Sequence, residues 1–307
     1  MSMIFRYSPS KTWLKGNLHV HSTRSDGALS PDQVCALYAR AGYDFIALTD
    51  HRRAGDAGDG LDDSLLVLNG LELDGRDSNG AYHHIVIVGE TQTVEEAVGA
   101  YARSDWNVPL QPLMERLDPD TSFRIWAHPH WSMNRLQDGF AFDFDALEVF
   151  NSSSQEEVGR GYGMAHWDYL LQQRPNMFGV AADDAHHTER LPCWGGGWIR
   201  VNVRNAEQKA VLQALKRGEF YASNGPEFQS FAYDGQTVTV KTSLVRIIRL
   251  ITPGLYGDLR VAADRSSGLT RAVFDLQDAQ HPVRIEIEDF QGRIAWSNPL
   301  FVSHDPD

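Results

Sequence analysis

Histidines and carboxylates recur along this 307-residue chain at the ends of short apolar runs: His19, His21, Asp26, Asp50, His51, Glu72, His84, His128, Glu148, Asp184 and His186. Imidazole nitrogen and carboxylate oxygen, without thiolate, are the ligands of Zn²⁺, Mn²⁺ or Fe²⁺, and a carboxylate such as Glu72 can bridge two ions. Each motif alone has a plainer reading. A lone His19-Val20-His21 is more often packing or surface, and Thr49-Asp50-His51 suits an Asx turn. Ala127-His128-Pro129-His130 suits a capped strand end, and Asp183-Asp184-Ala185-His186-His187 a solvated loop. Glu72 and Glu148 are more telling, because a carboxylate flanked by apolar residues must find a partner or neutralise. Coincidence at every strand end is a poor account, so the set together predicts a metal centre.

Ten of the twelve histidines precede residue 190, which assigns the chemistry to the first two thirds of the chain. A formal charge of −13 argues against a nucleic-acid partner, which demands a basic footprint. With 42% hydrophobic and 22% charged residues the composition is that of a globular protein, long enough for one large domain or two unequal ones. No apolar run is long enough to span a membrane, the first residues lack a secretory pattern, and Cys35 and Cys193 are too few for a disulfide scaffold. A cytoplasmic protein with no membrane partner and a small-molecule substrate is the expectation.

The elements that must position these residues are short. Runs at 17–21, 45–49, 65–71, 85–88, 125–128, 146–150 and 178–182 read as buried strands. Between the first two, Ser30-Pro31-Asp32-Gln33 reads as an N-cap with proline at the first helical position, and Gly42 as the stop. This β-α-β rhythm predicts an α/β fold with a mainly parallel sheet, a barrel or a doubly wound sheet, whose strand ends converge on one mouth. Past residue 225 the helical pattern ceases. Strands are expected at 237–240, 245–251, 271–276, 283–288 and 294–296, the last two as a half-exposed hairpin turning at Gln291-Gly292. The division is therefore 1–225 and 226–307, the second part all-β. Residues 55–63, rich in glycine and aspartate, read as a mobile loop after His51.

The motifs Gly16-Asn17-Leu18-His19-Val20-His21-Ser22, Ser25-Asp26-Gly27, Leu48-Thr49-Asp50-His51, Gly70-Leu71-Glu72, His84, Ala127-His128-Pro129, Leu147-Glu148-Val149 and Asp184-Ala185-His186 follow one another over residues 16–187. In that order they resemble the PHP (polymerase and histidinol phosphatase) family of metal-dependent phosphoesterases. The resemblance implies a distorted (β/α)7 barrel holding two or three divalent ions of Zn, Mn or Fe. By the same resemblance His19, His21, Glu72 and Asp184 would hold the first ion, with Glu72 bridging to a second on His84 and His128. Asp26, His51, His186 and Glu148 would take a third. Glu72, Asp184 and His186 would be the catalytic residues. Two departures stand out: His83 and His84 are adjacent, so one must point away, and Asp183 is an extra acid beside Asp184, expected to face solvent. The segments 218–226 and 292–299 resemble a small sandwich-like β-domain appended to a subset of the family that includes carbamate-ester hydrolases.

The resemblance favours cleavage of a small phosphate ester by hydroxide that the ions supply at neutral pH. Arg24, Arg52 and Arg53 beside the ligand motifs are then the expected phosphate-binding residues, with Arg190 a fourth. Hydrolysis of a carboxylic, carbamate or amide-like ester at the same centre is the alternative, and a non-catalytic metal-binding module the second. Loops 52–63, 102–122 and 152–166 are where specificity is expected.

Overall fold

A computed structural model describes residues 2–8, 11–55, 65–102, 104–254, 257–277 and 279–304. The loop expected at 55–63 thus lies, but for Gly55, outside the described residues. In chain order the first part comprises β1 (Ser2–Phe5), β2 (Thr12–Asn17), α1 (Pro31–Arg40), β3 (Phe45–Leu48), β4 (Leu66–Arg76), β5 (Tyr82–Gly89), α2 (Gln92–Val98) and α3 (Gln111–Met114). It continues with β6 (Ser122–Trp126), β7 (Ala146–Asn151), α4 (Ser152–Val158), α5 (Met164–Leu171), β8 (Phe178–Ala182), β9 (Trp198–Val203), α6 (Gln208–Lys216) and β10 (Phe220–Ser223).

Six of the seven expected strands appear within a few residues of their predicted positions; the exception is the first. There β2 stops at Asn17, so His19 and His21 lie beyond its end rather than within a strand. Leu18, Val20, Phe45, Ile46, Val67, Leu68, Val86 and Ile125 are almost wholly buried, as strands covered on both faces require. The helix after β2 forms as its residues dictate. The Ser30 backbone N–H donates to Gln33 Oε1 (2.9 Å) and the Gln33 N–H to Ser30 Oγ (3.4 Å), a reciprocal cap. Gly42, at φ +74°, ends the turn in the left-handed region.

The sheet is mixed rather than mainly parallel, and helices are few. β2, β3 and β4 are parallel neighbours, as are β6, β7 and β8, but β5 runs antiparallel to both β4 and β6. A reversed strand needs no helical crossover, which is why the β-α rhythm lapses there. Past the ends of β2 and β8 the two outer segments meet: Val20 bridges Ala185 in parallel, the Asp184 N–H donates to His19 O (2.9 Å) and the His21 N–H to Ala185 O (3.0 Å).

Strand β9 was not anticipated, although its Ile199, Val201 and Val203 alternate and all point inward. It pairs antiparallel with both β2 and β10, and so joins the first part of the chain to the last. The last part holds β11 (Phe228–Tyr233), β12 (Thr237–Val245), β13 (Ile247–Ile251), β14 (Asp258–Val261), β15 (Leu269–Asp275), β16 (Arg284–Glu288), β17 (Ile294–Ser297) and β18 (Phe301–His304). β10 pairs with β17, so one sheet runs β14-β13-β16-β17-β10-β9-β2 and on to β8; β11-β12-β15 form a second sheet, and β1 pairs with β18.

The β16–β17 hairpin turns at Gly292 (φ +79°) as expected, but its charged face is not exposed. The Arg284 guanidinium lies 4.6 Å from the Trp167 ring centroid and 2.8 Å from Asp168 Oδ1, while buried Glu286 faces Arg249 at 3.3 Å. Helix α5 covers this side, and strict alternation in sequence cannot tell water from a cation-accepting ring. Trp296 of β17 is fully buried against Phe150 and donates its Nε1–H to Met164 Sδ (3.2 Å). No helix among the described residues is long and apolar enough to cross a membrane.

Candidate metal centre

His19 and His21 stand beyond β2, His51 beyond β3, His128 beyond β6, and Asp184 and His186 beyond β8, while Glu72, His84 and Glu148 project from β4, β5 and β7. The backbone bends sharply to bring two of them inward. His128 (φ 26°) and Asp184 (φ 54°) occupy the left-handed region, which costs a branched-out side chain of order 1–3 kcal/mol and persists only where the surroundings enforce it.

Glu72, almost fully buried, is the hub. Its Oε2 lies 3.3 Å from His19 Nε2, 3.3 Å from His21 Nε2 and 3.2 Å from His51 Nδ1. Its Oε1 lies 2.7 Å from His84 Nδ1 and 3.3 Å from His128 Nε2. Asp184 Oδ1 adds 3.2 and 3.1 Å contacts to Nε2 of His19 and His21, and Oδ2 lies 3.7 Å from His128 Nε2. At the rim, Asp26 Oδ2 sits 3.4 Å from His186 Nε2 and 3.8 Å from His51 Nε2. Four overlapping sets result, each with ligand atoms within 4.8 Å of one another: His21, Asp26, His51, His186; His19, His21, Glu72; His19, His128, Asp184; and His51, Glu72, His84.

The donor atoms suit divalent ions on two observations. His19 Nε2 and His51 Nδ1 are buried without a hydrogen-bond partner, although both face carboxylate oxygens. The other ring nitrogens are held from outside: His19 Nδ1 lies 2.7 Å from Glu148 Oε1, His128 Nδ1 3.2 Å from Ser132 Oγ, and His186 Nδ1 2.9 Å from the Asp184 carbonyl. A ring whose outer nitrogen is so anchored presents its inner nitrogen as a ligand. Electrostatics agree. Burial alone would lower the pKa of His51 and His186, but Glu72 and Asp74 around the one and Asp26 and Asp184 around the other push both up to about 9. Burial would raise the Glu72 carboxyl, yet His51, His19 and His84 hold it well below its ordinary value. His21 falls to about 4 through burial and the nearby His186 and His51. Buried Glu72 and Asp184, with Asp26 at the rim, call for cations, and protons on imidazole are what divalent ions would displace.

Several expected roles fall elsewhere. Glu148 stands behind the cluster rather than in its third set: Oε1 faces His19, and Oε2 accepts from the His128 N–H (2.8 Å) and Asn151 Nδ2 (2.7 Å). We expect Glu148→Gln to fold normally and to weaken metal affinity about 10- to 100-fold, the usual scale for a group that orients a ligand, as read by metal titration. Asp183 does not face solvent. It is fully buried and accepts from Tyr38 Oη (2.7 Å) and the N–H groups of Gly195, Gly196 and Gly197 (2.7, 2.8 and 2.9 Å). A side chain at Gly197 would strike the Ala182 carbonyl at 2.6 Å, so the turn wraps this carboxylate closely. Of the adjacent pair, alternation along β5 sends His84 into the cluster and His83 to the other face, 3.3 Å from Asp77 and against Trp126 and Phe142.

The arginines are the largest departure. Arg52 is buried with its guanidinium spent on protein acceptors: Asp74, and the carbonyls of Ala102 (2.9 Å) and Asp105 (2.7 Å). Arg24 and Arg53 do not line the cavity, whereas Arg190 does, 2.7 Å from Glu157 Oε1. Asp50 contributes structure, accepting from the N–H and Oγ of both Ser22 and Ser25 and so setting the turn before Asp26. Asp74, 3.6 Å from His51 Nδ1, was missed. It follows Glu72 by two in a strand, which places it on the same face. The cluster floors a cavity of about 560 Å³ whose walls include Tyr82, Trp106, Trp131, Glu157, Arg190 and Leu191.

The fold and cluster together define an α/β protein whose strand ends gather candidate histidine and carboxylate metal ligands. No protein-family profile matches the chain. A two-domain protein from Bacteroides vulgatus that contains a predicted PHP-like metal-dependent phosphoesterase superposes with a TM-score of 0.50 at 14% identity, covering 94% of this chain and 93% of that one. An amidohydrolase from Chromobacterium violaceum gives 0.34 at 16% identity over 56% of this chain and 87% of its own. In sequence, the chain is 25% identical over 227 residues to the DNA polymerase/3′-5′ exonuclease PolX of Bacillus subtilis, covering 66% of this chain and 39% of the relative's length. The fold is PHP-like, as the motifs imply.

Proposed function

We propose that this protein is a metal-dependent hydrolase that cleaves a small phosphate ester, using ions held by His19, His21, Glu72 and Asp184, by Glu72, His84 and His128, and by Asp26, His51 and His186. The observation that carries the reading is the pair of orphaned imidazole nitrogens, His19 Nε2 and His51 Nδ1, aimed at the shared Glu72 carboxylate. Ions bound there would polarise a phosphoryl or carbonyl oxygen and supply hydroxide at neutral pH. The chain itself does the rest. Glu148 and Ser132 fix the rings of His19 and His128. When Asp26, His51 and His186 hold no ion, His186, tied through Nδ1 to the Asp184 carbonyl, can instead hold a proton at Nε2 on the rim, where a leaving oxygen would need it. We read strands β2–β8, drawn together by the Val20–Ala185 bridge, as the distorted (β/α)7 barrel, and 226–307 as an appended β-domain. The two cysteines, buried and unpaired, fit a cytoplasmic setting.

One observation favours a second reading, an uncharged carboxylic, carbamate or amide-like ester. Arg52 is spent inside the protein and Arg190 is paired with Glu157, so the lining offers a phosphate little beyond the ions. Elemental analysis of the native protein, with a panel of phosphate mono- and diesters and aryl carboxylates and carbamates, separates the two. Phosphate release by metal-replete protein is the expected result. Turnover of the neutral esters alone would establish the second reading, and no turnover at all would overturn both.

A further inference from the structure

The wall of the cavity is aromatic where it leaves the cluster. Two rings touch His84 from different directions: Tyr82 at 5.3 Å between centroids and Trp131 at 5.8 Å, the latter also 5.0 Å from His128. Trp106 extends the Tyr82 side, 6.1 Å away and 63% exposed. The polar edges of two of these rings are already engaged, Tyr82 Oη with Asp74 Oδ2 (3.1 Å) and Trp131 Nε1 with Glu157 Oε2 (3.2 Å), so ring surface is what they offer a ligand. Among the described lining residues the arginines Arg52 and Arg190 are both engaged with protein acceptors.

The exposed Trp106 is also held in place. Arg52 donates from Nη1 to the Ala102 carbonyl and from Nη2 to that of Asp105, and the Asn107 N–H closes onto Asp105 Oδ1 (2.9 Å). Arg76 Nε reaches Asn107 Oδ1 (2.9 Å) from the other side. The segment carrying Trp106 is thus pinned on both flanks to strand β4 and its approach, and a pinned exposed tryptophan gives up little entropy when a ring settles against it.

We propose that Tyr82, Trp106 and Trp131 form a subsite for an uncharged planar aromatic group of the substrate, with Arg52 as the positioning residue that holds Trp106 in the wall. The proposal rests on the hydrolase reading for what happens at the cluster end of that substrate, whereas aromatic binding itself is independent of it. Calorimetric titration of the full chain with 2-naphthol and with decahydro-2-naphthol, with and without a chelator, makes the comparison. These probes share a skeleton and a hydroxyl and differ in aromaticity. The expected result is at least about tenfold tighter binding of 2-naphthol, reduced ~3- to 10-fold by Trp106→Ala and by Trp131→Leu. Arg52→Lys is expected to match the Trp106→Ala loss and to add nothing to it in the double variant. Trp106 is exposed, so its variant tests the subsite even where Trp131→Leu disturbs the histidines behind it. Equal affinity for the two probes, or wild-type 2-naphthol binding by Trp106→Ala, overturns the proposal. Tight, aromatic-selective binding without turnover of any ester refutes the hydrolase reading and leaves the subsite standing, and turnover without aromatic selectivity does the reverse.

Discussion

Glu72→Ala is expected to lose bound metal and at least about a thousandfold in kcat/KM together. One carboxylate faces five imidazoles, His19, His21 and His51 through one oxygen and His84 and His128 through the other, so no neighbour can take over its place. Loss of charge stabilisation worth ~4 kcal/mol at a reacting oxygen corresponds to that thousandfold. The check is metal content of the purified variant beside its rate on the best ester of the panel. Retention of both would dissolve the site assignment, because the overlapping sets of ligands are joined through this residue and the histidines that face it, His19, His21 and His51.

Chelation is expected to lower the melting temperature by at least about 5 °C. Asp184 and Glu72 are buried beside each other's histidines, and without cations the cleft holds either unmatched carboxylates or a crowd of protonated rings. A ligand that binds only the folded chain, present at 100 to 1,000 times its dissociation constant, adds about 2.7 to 4.1 kcal/mol, and each kcal/mol moves the transition of a chain this size by about 2 °C. Calorimetric scans before and after verified metal removal measure the effect directly. An unchanged transition in protein shown to have carried metal would mean that the cluster contributes nothing to the fold.

Most of the cluster could be read from the chain because its signal is local. Strand-end histidines and acids announce themselves by the apolar runs beside them; of the eleven such residues all but Asp50 and Glu148 fall in the four ligand sets, and the family resemblance assigns ten of them as ligands. Glu148 was named but misplaced, since a carboxylate that orients a histidine and one that ligates an ion look alike in sequence. The arginines failed for a related reason. Charge beside a motif says nothing of where a long flexible side chain ends, and Arg52 turns onto Asp74 and the carbonyls of Ala102 and Asp105, 50 and 53 residues on. Asp183 failed because an acid in a glycine-poor run reads as solvated, while its partners, Tyr38 and the Gly195–Gly197 turn, come from distant or later segments. Of the cavity wall only Trp106 and Glu157 lie in the loops expected to set specificity, 102–122 and 152–166; Tyr82 and Trp131 lie outside them, and sequence cannot say that the four meet across one opening. The reversal of β5 and the insertion of β9 were illegible for topological reasons: alternation reports burial, never direction.

The pairing of β10 with β17 carries a consequence for anyone who would shorten the chain. The change of rhythm near residue 225 invites a cut there. Such a fragment would keep every proposed ligand, yet it would end in a strand whose outer row of N–H and C=O groups had lost its neighbour, beside a vacated slot where Trp296 had filled the space next to Phe150. An open, apolar strand edge recruits other chains. We therefore expect the smallest fragment that stays monomeric to be longer than the proposed ligand set, with the C-terminal strands closing an edge that would otherwise recruit further chains.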